Sequence, residues 1–324
     1  MGIDKELKYL VTTGLACLLA GFALGKDTQR GRGKDSSPEK DSSPREDNDT
    51  YCGSACFDDR TEVMTSGGFS FWKDIDLDSE IAQYDMETGE ISFSKPSSLI
   101  ERLHVGKMLS FRSETVDICV TPDHDLIGMR KLNDSKAVPK YEKIKAADIT
   151  ERMPFPTSAK NEDTWAFFNE LKEMAYQSER PKENIFDYEA SGLPQSTRAL
   201  GGFDLTKIDA KTAHRIVRRL CRDYGVQAGG TVYGIIAVTL RDATLSDKFI
   251  VLCTIAGEKA YKAPGSQTVL VYIGSCVMFQ QVGYYPSPEL VSYSGYVYCA
   301  TMPKGTIVTR RNGRIAIAGN KSFG

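Results

Sequence analysis

Between Cys56 and Ser158 the chain is a succession of short β-prone runs separated by turn residues, and this dense spacing restricts it to an all-β module. Glu62-Val63-Met64-Thr65 is followed, after a Ser-Gly-Gly turn and Trp72-Lys73-Asp74-Ile75, by the alternating run Glu80–Asp85. A Glu87-Thr88-Gly89-Glu90 turn then sends Ile91-Ser92-Phe93 back as the returning strand. Met108–Arg112 and Asp117–Thr121 continue the pattern, and Lys143–Asp148 with Met153-Pro154 ends it.

The character changes over 159–292. Thr164–Gln177 and Ala210–Tyr224 have helical spacing, the second with Ile216, Leu220 and Tyr224 on one face, while Val232–Leu240 and Val269–Ile273 read as strands. This predicts an α+β insertion, after which strand-like sequence resumes over 293–320.

Ahead of the β region lie two segments of different kind. Tyr9–Gly25 is an uncharged apolar run of about the minimum length for a spanning helix. Lys26, Arg30, Arg32 and Lys34 follow it against Lys5 and Lys8 before it, a bias that keeps the downstream side cytoplasmic. Residues 1–25 therefore read as a membrane anchor, with a cleaved signal peptide as the competing reading. Residues 26–55 are charged and rich in Pro and Ser, with Lys-Asp-Ser-Ser-Pro at 34–38 and again at 40–44, and bury too little apolar surface to fold. They read as a disordered tether. The localisation expected is membrane-anchored with the β domain on the cytoplasmic side, or cytoplasmic.

The net charge of −2 over 324 residues leaves no nucleic-acid footprint in the chain as a whole. Eight cysteines show no Cys-x-x-Cys pair and no finger spacing with the three histidines, so neither a zinc site nor a disulfide framework is expected. Most of them sit in apolar strand-like runs, which favours a reducing compartment.

Three motifs carry chemistry. Cys56 can attack the carbonyl of Ala55, because a thiolate is a good nucleophile and the thioester formed is more reactive than an amide. Thr121 and His124, in Val-Thr-Pro-Asp-His, can set a hydroxyl and an imidazole on one tight turn. Asn320, at the end of the strand after the Arg311-Asn312-Gly313 turn, can attack its own carbonyl through its side-chain nitrogen, forming a succinimide and releasing Lys321.

With Gly295-Tyr296-Val297-Tyr298-Cys299 between the last two, this order of elements resembles an intein of the Hint (Hedgehog/intein) superfamily, over roughly 56–158 and 293–320. The resemblance implies a horseshoe-like, mainly β Hint domain interrupted by the insertion. It implies autocatalytic splicing or self-cleavage: Cys56 as nucleophile, Thr121 and His124 as activators, Cys299 as auxiliary proton carrier or second acyl acceptor, and Asn320 as C-terminal cleaver. No cofactor is required, the substrates are the chain's own flanking segments, and the molecule is expected to be a monomer.

Two positions depart from the family pattern. Gly319 stands where a histidine is common, and Lys321 stands where a Cys, Ser or Thr receives the upstream segment. Lysine is protonated near neutral pH and too long for that attack, and Ser322 is a poor substitute, so cleavage is expected at least as much as ligation.

In inteins an insertion at this place is commonly a LAGLIDADG-type homing endonuclease. Its motif is not intact: Leu200-Gly201-Gly202-Phe203-Asp204 is the nearest echo, with Asp204 the candidate metal ligand and Arg215, Arg218, Arg219 and Arg222 the candidate phosphate grip. Gly-Gly-Phe-Asp alone is more often a loop, and a basic helix face is usually solvated. A divalent metal and DNA enter only if this segment is an active endonuclease. A membrane-tethered binding module whose Hint fold has lost its chemistry is the other alternative.

Overall fold

A computed structural model describes residues 55–113, 116–129, 141–160, 204–227, 235–240, 242–263, 265–272 and 286–320. The expected anchor at 9–25, the tether up to 54, the helix at 164–177 and the flanking residues 321–324 lie outside the described residues. Among the described residues no helix is long and apolar enough to cross a membrane.

In chain order the strands are β1 (Phe57–Asp58), β2 (Glu62–Thr65), β3 (Gly68–Phe71), β4 (Ile81–Tyr84), β5 (Ile91–Ser94), β6 (Ser98–Arg112), β7 (Asp117–Val120), β8 (Asp125–Met129) and β9 (Tyr141–Lys145). Then come β10 (Val226–Gln227), β11 (Ile235–Thr239), β12 (Lys259–Tyr261), β13 (Thr268–Tyr272), β14 (Pro288–Thr301), β15 (Thr306–Arg311) and β16 (Arg314–Gly319). Helices α1 (Ala210–Tyr224) and α2 (Ala243–Ile255) fall between β9 and β12.

The fold is mainly β. Strands β1, β14, β6 and β7 close on themselves, and β5-β4-β2-β15-β16-β8-β9, with β3 on β2, form the second sheet. Both sheets join strands from the first and last parts of the sequence, which is what brings the two ends of the domain together. The longest pairing is β6 with β14, antiparallel from Ser98↔Thr301 to Phe111↔Pro288. The β15–β16 hairpin turns on Asn312 and Gly313, with φ of 48° and 78°. Two positive values in a two-residue loop are the turn whose twist matches the strands, and Asn-Gly supplies it. Gly313 has a second reason to be glycine: a Cβ there would lie 2.2 Å from the Lys262 carbonyl oxygen.

One core packs Phe57, Trp72, Phe111, Ile118, Leu126 and Ile307 between the sheets. Another joins Met64, Tyr84, Ile127, Val308 and Ile317 to Leu220, Phe249, Val251 and Val269. The α+β segment therefore shares its hydrophobic core with the β body, each large buried side chain contributing about 1.5–3 kcal/mol. A charged seam reinforces this contact: the Arg310 guanidinium binds Glu62 on β2 and Asp247 on α2, and Lys262 also binds Asp247.

Helix α1 has the expected bounds, starts where the Asp209 carboxylate accepts from the Thr212 amide at 2.6 Å, and buries Ile216, Val217 and Leu220. Asp242 caps α2 in the same way, accepting from the Leu245 amide at 2.9 Å. The strand-like reading of the cysteine runs fails for Cys253, which lies in α2, whereas Cys221 lies in α1 where helical spacing placed it. From Phe249 onward α2 is buried on every side, so a run rich in β-branched and apolar residues carries no amphipathic period, and the capping aspartate decides for helix.

Candidate active site

Ladder register places the first cysteine. Strand β1 pairs with β14 at Phe57↔Tyr298 and with β7 at Phe57↔Val120. One step toward the N-terminus, Cys56 comes between Cys299 on one side and Thr121 on the other. The Thr121 amide donates to the Cys56 carbonyl at 2.9 Å, and the Cys56 amide, the nitrogen of the Ala55–Cys56 bond, donates to Thr121 Oγ1 at 3.0 Å. Cys56, Cys119 and Cys299 pack with Met108 and Val297 in one buried cluster. Burial, with Asp58 adding to it, pushes the Cys119 thiol up to about 12, so it stays protonated beside the junction.

Thr121-Pro122-Asp123-His124 is a β-turn closed by the His124 amide donating to the Thr121 carbonyl at 3.0 Å, with proline at its favoured second position. Ala146 and Ala147 hold the turn from behind, their amides donating to the His124 and Pro122 carbonyls at 2.8 and 2.9 Å. The imidazole is fully buried, edge-on to the Phe57 ring at 4.4 Å between centroids.

The same arithmetic places the last asparagine. Strand β16 pairs with β8 at Ala318↔Leu126, so two steps on Asn320 faces His124. The Asn320 amide donates to the Gly305 carbonyl at 2.8 Å, and the Cys299 thiol donates to Asn320 Oδ1 at 2.7 Å. With Oδ1 held by that thiol, the carboxamide nitrogen is turned to the other side of the group.

His124 stands between the two ends. Backbone groups of Ala55 and Gly319 both act on the ring as acceptors, the role of a carbonyl, although neither ring nitrogen attains full hydrogen-bond geometry. Desolvation outweighs these contacts and the charges of Asp125 and Asp123, lowering the pKa to about 4. Near pH 7 the ring is neutral and has one N–H to give.

Gly319 has a steric reason to be glycine. A Cβ there would lie 2.8 Å from both the Asp125 Cβ and the Asp125 carbonyl oxygen, so β16 approaches β8 too closely for any side chain at this place.

A buried ionic knot braces the strands that carry these groups. Arg311 binds Asp58 on β1 bidentately, at 3.0 and 2.8 Å to Oδ2, and Asp117 on β7 at 2.6 Å. Asn312 Nδ2 donates to Asp117 at 2.7 Å and Thr61 Oγ1 to Asp58 at 2.6 Å. Burial works against the Arg311 charge, but the two carboxylates more than offset it and hold its pKa above the usual guanidinium value. Arg311 was legible only as the residue before a turn; the signal that it does more is Asp58, two residues after Cys56 and hence on the opposite face of a strand from Phe57.

The insertion's candidate groups are differently employed. Asp204 caps a short 3₁₀ turn, accepting from the Thr206 amide and hydroxyl and pairing with Lys207 at 2.7 Å, and Lys207 and Thr206 hold its pKa down to about 2. Among the described residues no group of three or more His, Cys, Asp or Glu side chains surrounds it. Arg219 and Arg222 pair with Asp223, and Arg215 donates to Thr212. Leu200-Gly201-Gly202-Phe203 and Ser322 lie outside the described residues.

No protein-family model matches the chain. Over 83 residues it is 39% identical to the ribonucleoside-diphosphate reductase subunit beta of Aquifex aeolicus (strain VF5), a stretch that is 25% of this chain and 12% of that protein. The chain thus spans about an eighth of the curated relative it matches. Among solved structures it is similar to a GSH-linked, splice-inactive variant of the AceL NrdHF class 3 split intein, at 11% identity and a TM-score of 0.36, covering 82% of this chain and 98% of that one. It is also similar to a bacterial intein-like domain from Clostridium thermocellum, at 9% identity and a TM-score of 0.31, covering 82% and 98%. A KlbA intein precursor from Methanococcus jannaschii matches at 9% identity and a TM-score of 0.33, covering 82% and 92%. Strands from both ends of the domain pair into curled sheets and Asn320 faces His124 beside Cys56, so the chain has the mainly β fold expected from its sequence, interrupted by an α+β segment.

Proposed function

We propose that the chain performs intein-like autocatalytic self-cleavage or splicing on its own flanking segments. The observation that carries this is the meeting of both ends at one buried place: Cys56 beside Thr121 and Cys299, with Cys299 in turn holding Asn320.

In the first step Cys56 Sγ attacks the Ala55 carbonyl carbon. A C–S bond forms, the C–N bond breaks, and the thiol proton ends on the released Cys56 amine. Thr121 accepts from that nitrogen while the amide is intact. As the lone pair leaves resonance, the hydroxyl turns and donates to it. A neutral His124 polarises the Ala55 carbonyl. In the last step Asn320 Nδ2 attacks its own carbonyl carbon, closing the succinimide, breaking the bond to Lys321 and passing a proton to the Lys321 nitrogen. Cys299 orients the carboxamide for this attack. Lys321 offers no hydroxyl or thiol to receive the upstream segment, which favours thioester cleavage over ligation.

The test is the intact mass of the purified full chain with and without added thiol. Thiol-dependent loss of residues 1–55, abolished by Cys56→Ala, and loss of residues 321–324, abolished by Asn320→Ala, are the results expected. A chain that keeps its full mass under both conditions overturns the reading.

A further inference from the structure

The β6–β14 ribbon has two unlike faces, because side chains alternate along each of its strands. One face turns Val297 and Tyr293 onto the cluster around Cys56. The other carries the cross-strand pairs Leu103↔Tyr296, Val105↔Ser294 and Lys107↔Ser292, with Glu101 beyond them on β6. All seven of these residues are exposed, Leu103 to 66% and Val105 to 74%. Among the described residues seven large apolar side chains are exposed, and four of them, Leu103, Val105, Leu290 and Tyr296, lie on this one face. Apolar residues gathered in this way, rather than scattered singly, mark a surface that another surface covers.

The order of the residues says what covers it. Along β6 the face reads Glu101, Leu103, Val105, Lys107: an acid, two apolar residues and a base. Such a series complements itself when reversed. A two-fold axis lying across the ribbon at the His104↔Gly295 pair sets Leu103 over the partner's Val105 and Glu101 over the partner's Lys107. On β14 the same axis sets Tyr296 over the partner's Ser294, a large side chain over a small one, which lets two faces interdigitate.

We infer that this face joins two copies of the chain, packed ribbon on ribbon with their strands running in opposite directions. The face extends about 20 Å along the strands and two strands across, less than a standard interface, so the dimer is weak and forms at about 10–100 μM chain. The monomer expected from the sequence is its dilute state.

The test is sedimentation equilibrium of the full chain carrying Cys56→Ala and Asn320→Ala, so that cleavage plays no part and the outcome is independent of the mass assay above. Glu101→Lys and Lys107→Glu, each alone, should weaken the dimer by about tenfold or more, because the axis counts every repulsion twice. Mixing these two variants should restore association, since the first then offers two lysines to the two glutamates of the second. Leu103→Ser, which removes the apolar centre and no charge, should weaken the dimer by a similar factor. A chain that is monomeric at about 500 μM overturns the inference, as it would if another protein or a lipid surface were the occupant. A dimer indifferent to all three substitutions, or single variants that do not associate when mixed while keeping the parent's thermal unfolding, overturns it as well.

Discussion

Replacing Arg311 by leucine removes the cation that holds two strands to the hairpin carrying the C-terminal junction. Its guanidinium is 11% exposed, and the carboxylates it binds, Asp58 and Asp117, are 2% and 0% exposed. Leucine keeps much of the volume but leaves Asp58 buried without its cation and Asp117 with only the exposed Arg112 guanidinium at 3.7 Å, a change that costs about 3–5 kcal/mol. Thr61 still donates to Asp58 and Asn312 to Asp117, so the lower end of that range applies. At about 2–4 °C per kcal/mol for a domain of this size, the melting temperature falls by about 6–12 °C. The assay is urea unfolding at pH 7 of chains carrying Cys56→Ala and Asn320→Ala, so that neither junction cleaves during the measurement. Adding Asp58→Asn and Asp117→Asn to Arg311→Leu should recover more than half of the loss, because neutral amides need no cation. A loss under about 1 kcal/mol, or no recovery in the combined variant, refutes the view that the knot is an electrostatic brace.

The remaining predictions concern three other places. His124 titrates at about 4 folded against about 6.5 unfolded, so the unfolded chain binds the extra proton between these values. Stability is therefore full above about pH 6.5 and falls as pH drops through about 4, by about 3 kcal/mol in all, a slope that urea unfolding of His124→Leu should lack. Gly319→Ala drives a Cβ against Asp125 and should cost about 1–3 kcal/mol, with loss of residues 321–324 slowed in the mass assay. Asp247→Ala strips Arg310 and Lys262 of a shared partner and should cost about 3 kcal/mol, read by urea unfolding, with faster tryptic cutting between 204 and 272.

The sequence made legible those features whose physics is local. Asn312-Gly313 announced a turn because only a few residues take positive φ in succession, and Thr-Pro-Asp-His announced another because proline fixes its second corner. Cys56, Thr121, His124, Cys299 and Asn320 were named from motif order, and strand register then supplied what spacing could not: that Cys56 lies between Cys299 and Thr121, and Asn320 opposite His124. Arg311 escaped notice because its partners stand 253 and 194 positions away. The reason for Gly319 was equally hidden, since it is a distance between two backbones. Helix α2 was missed because full burial erases the period by which a helix is read.

The common core of the β body and the α+β segment has a practical outcome for anyone wishing to shorten this chain. Excising 161–285 and joining the stumps would strip cover from Met64, Tyr84, Val308 and Ile317 and leave Arg310 with Glu62 alone. A minimal version must first be given a polar coat over that flank, or it will stick to itself before it can be tested for anything else.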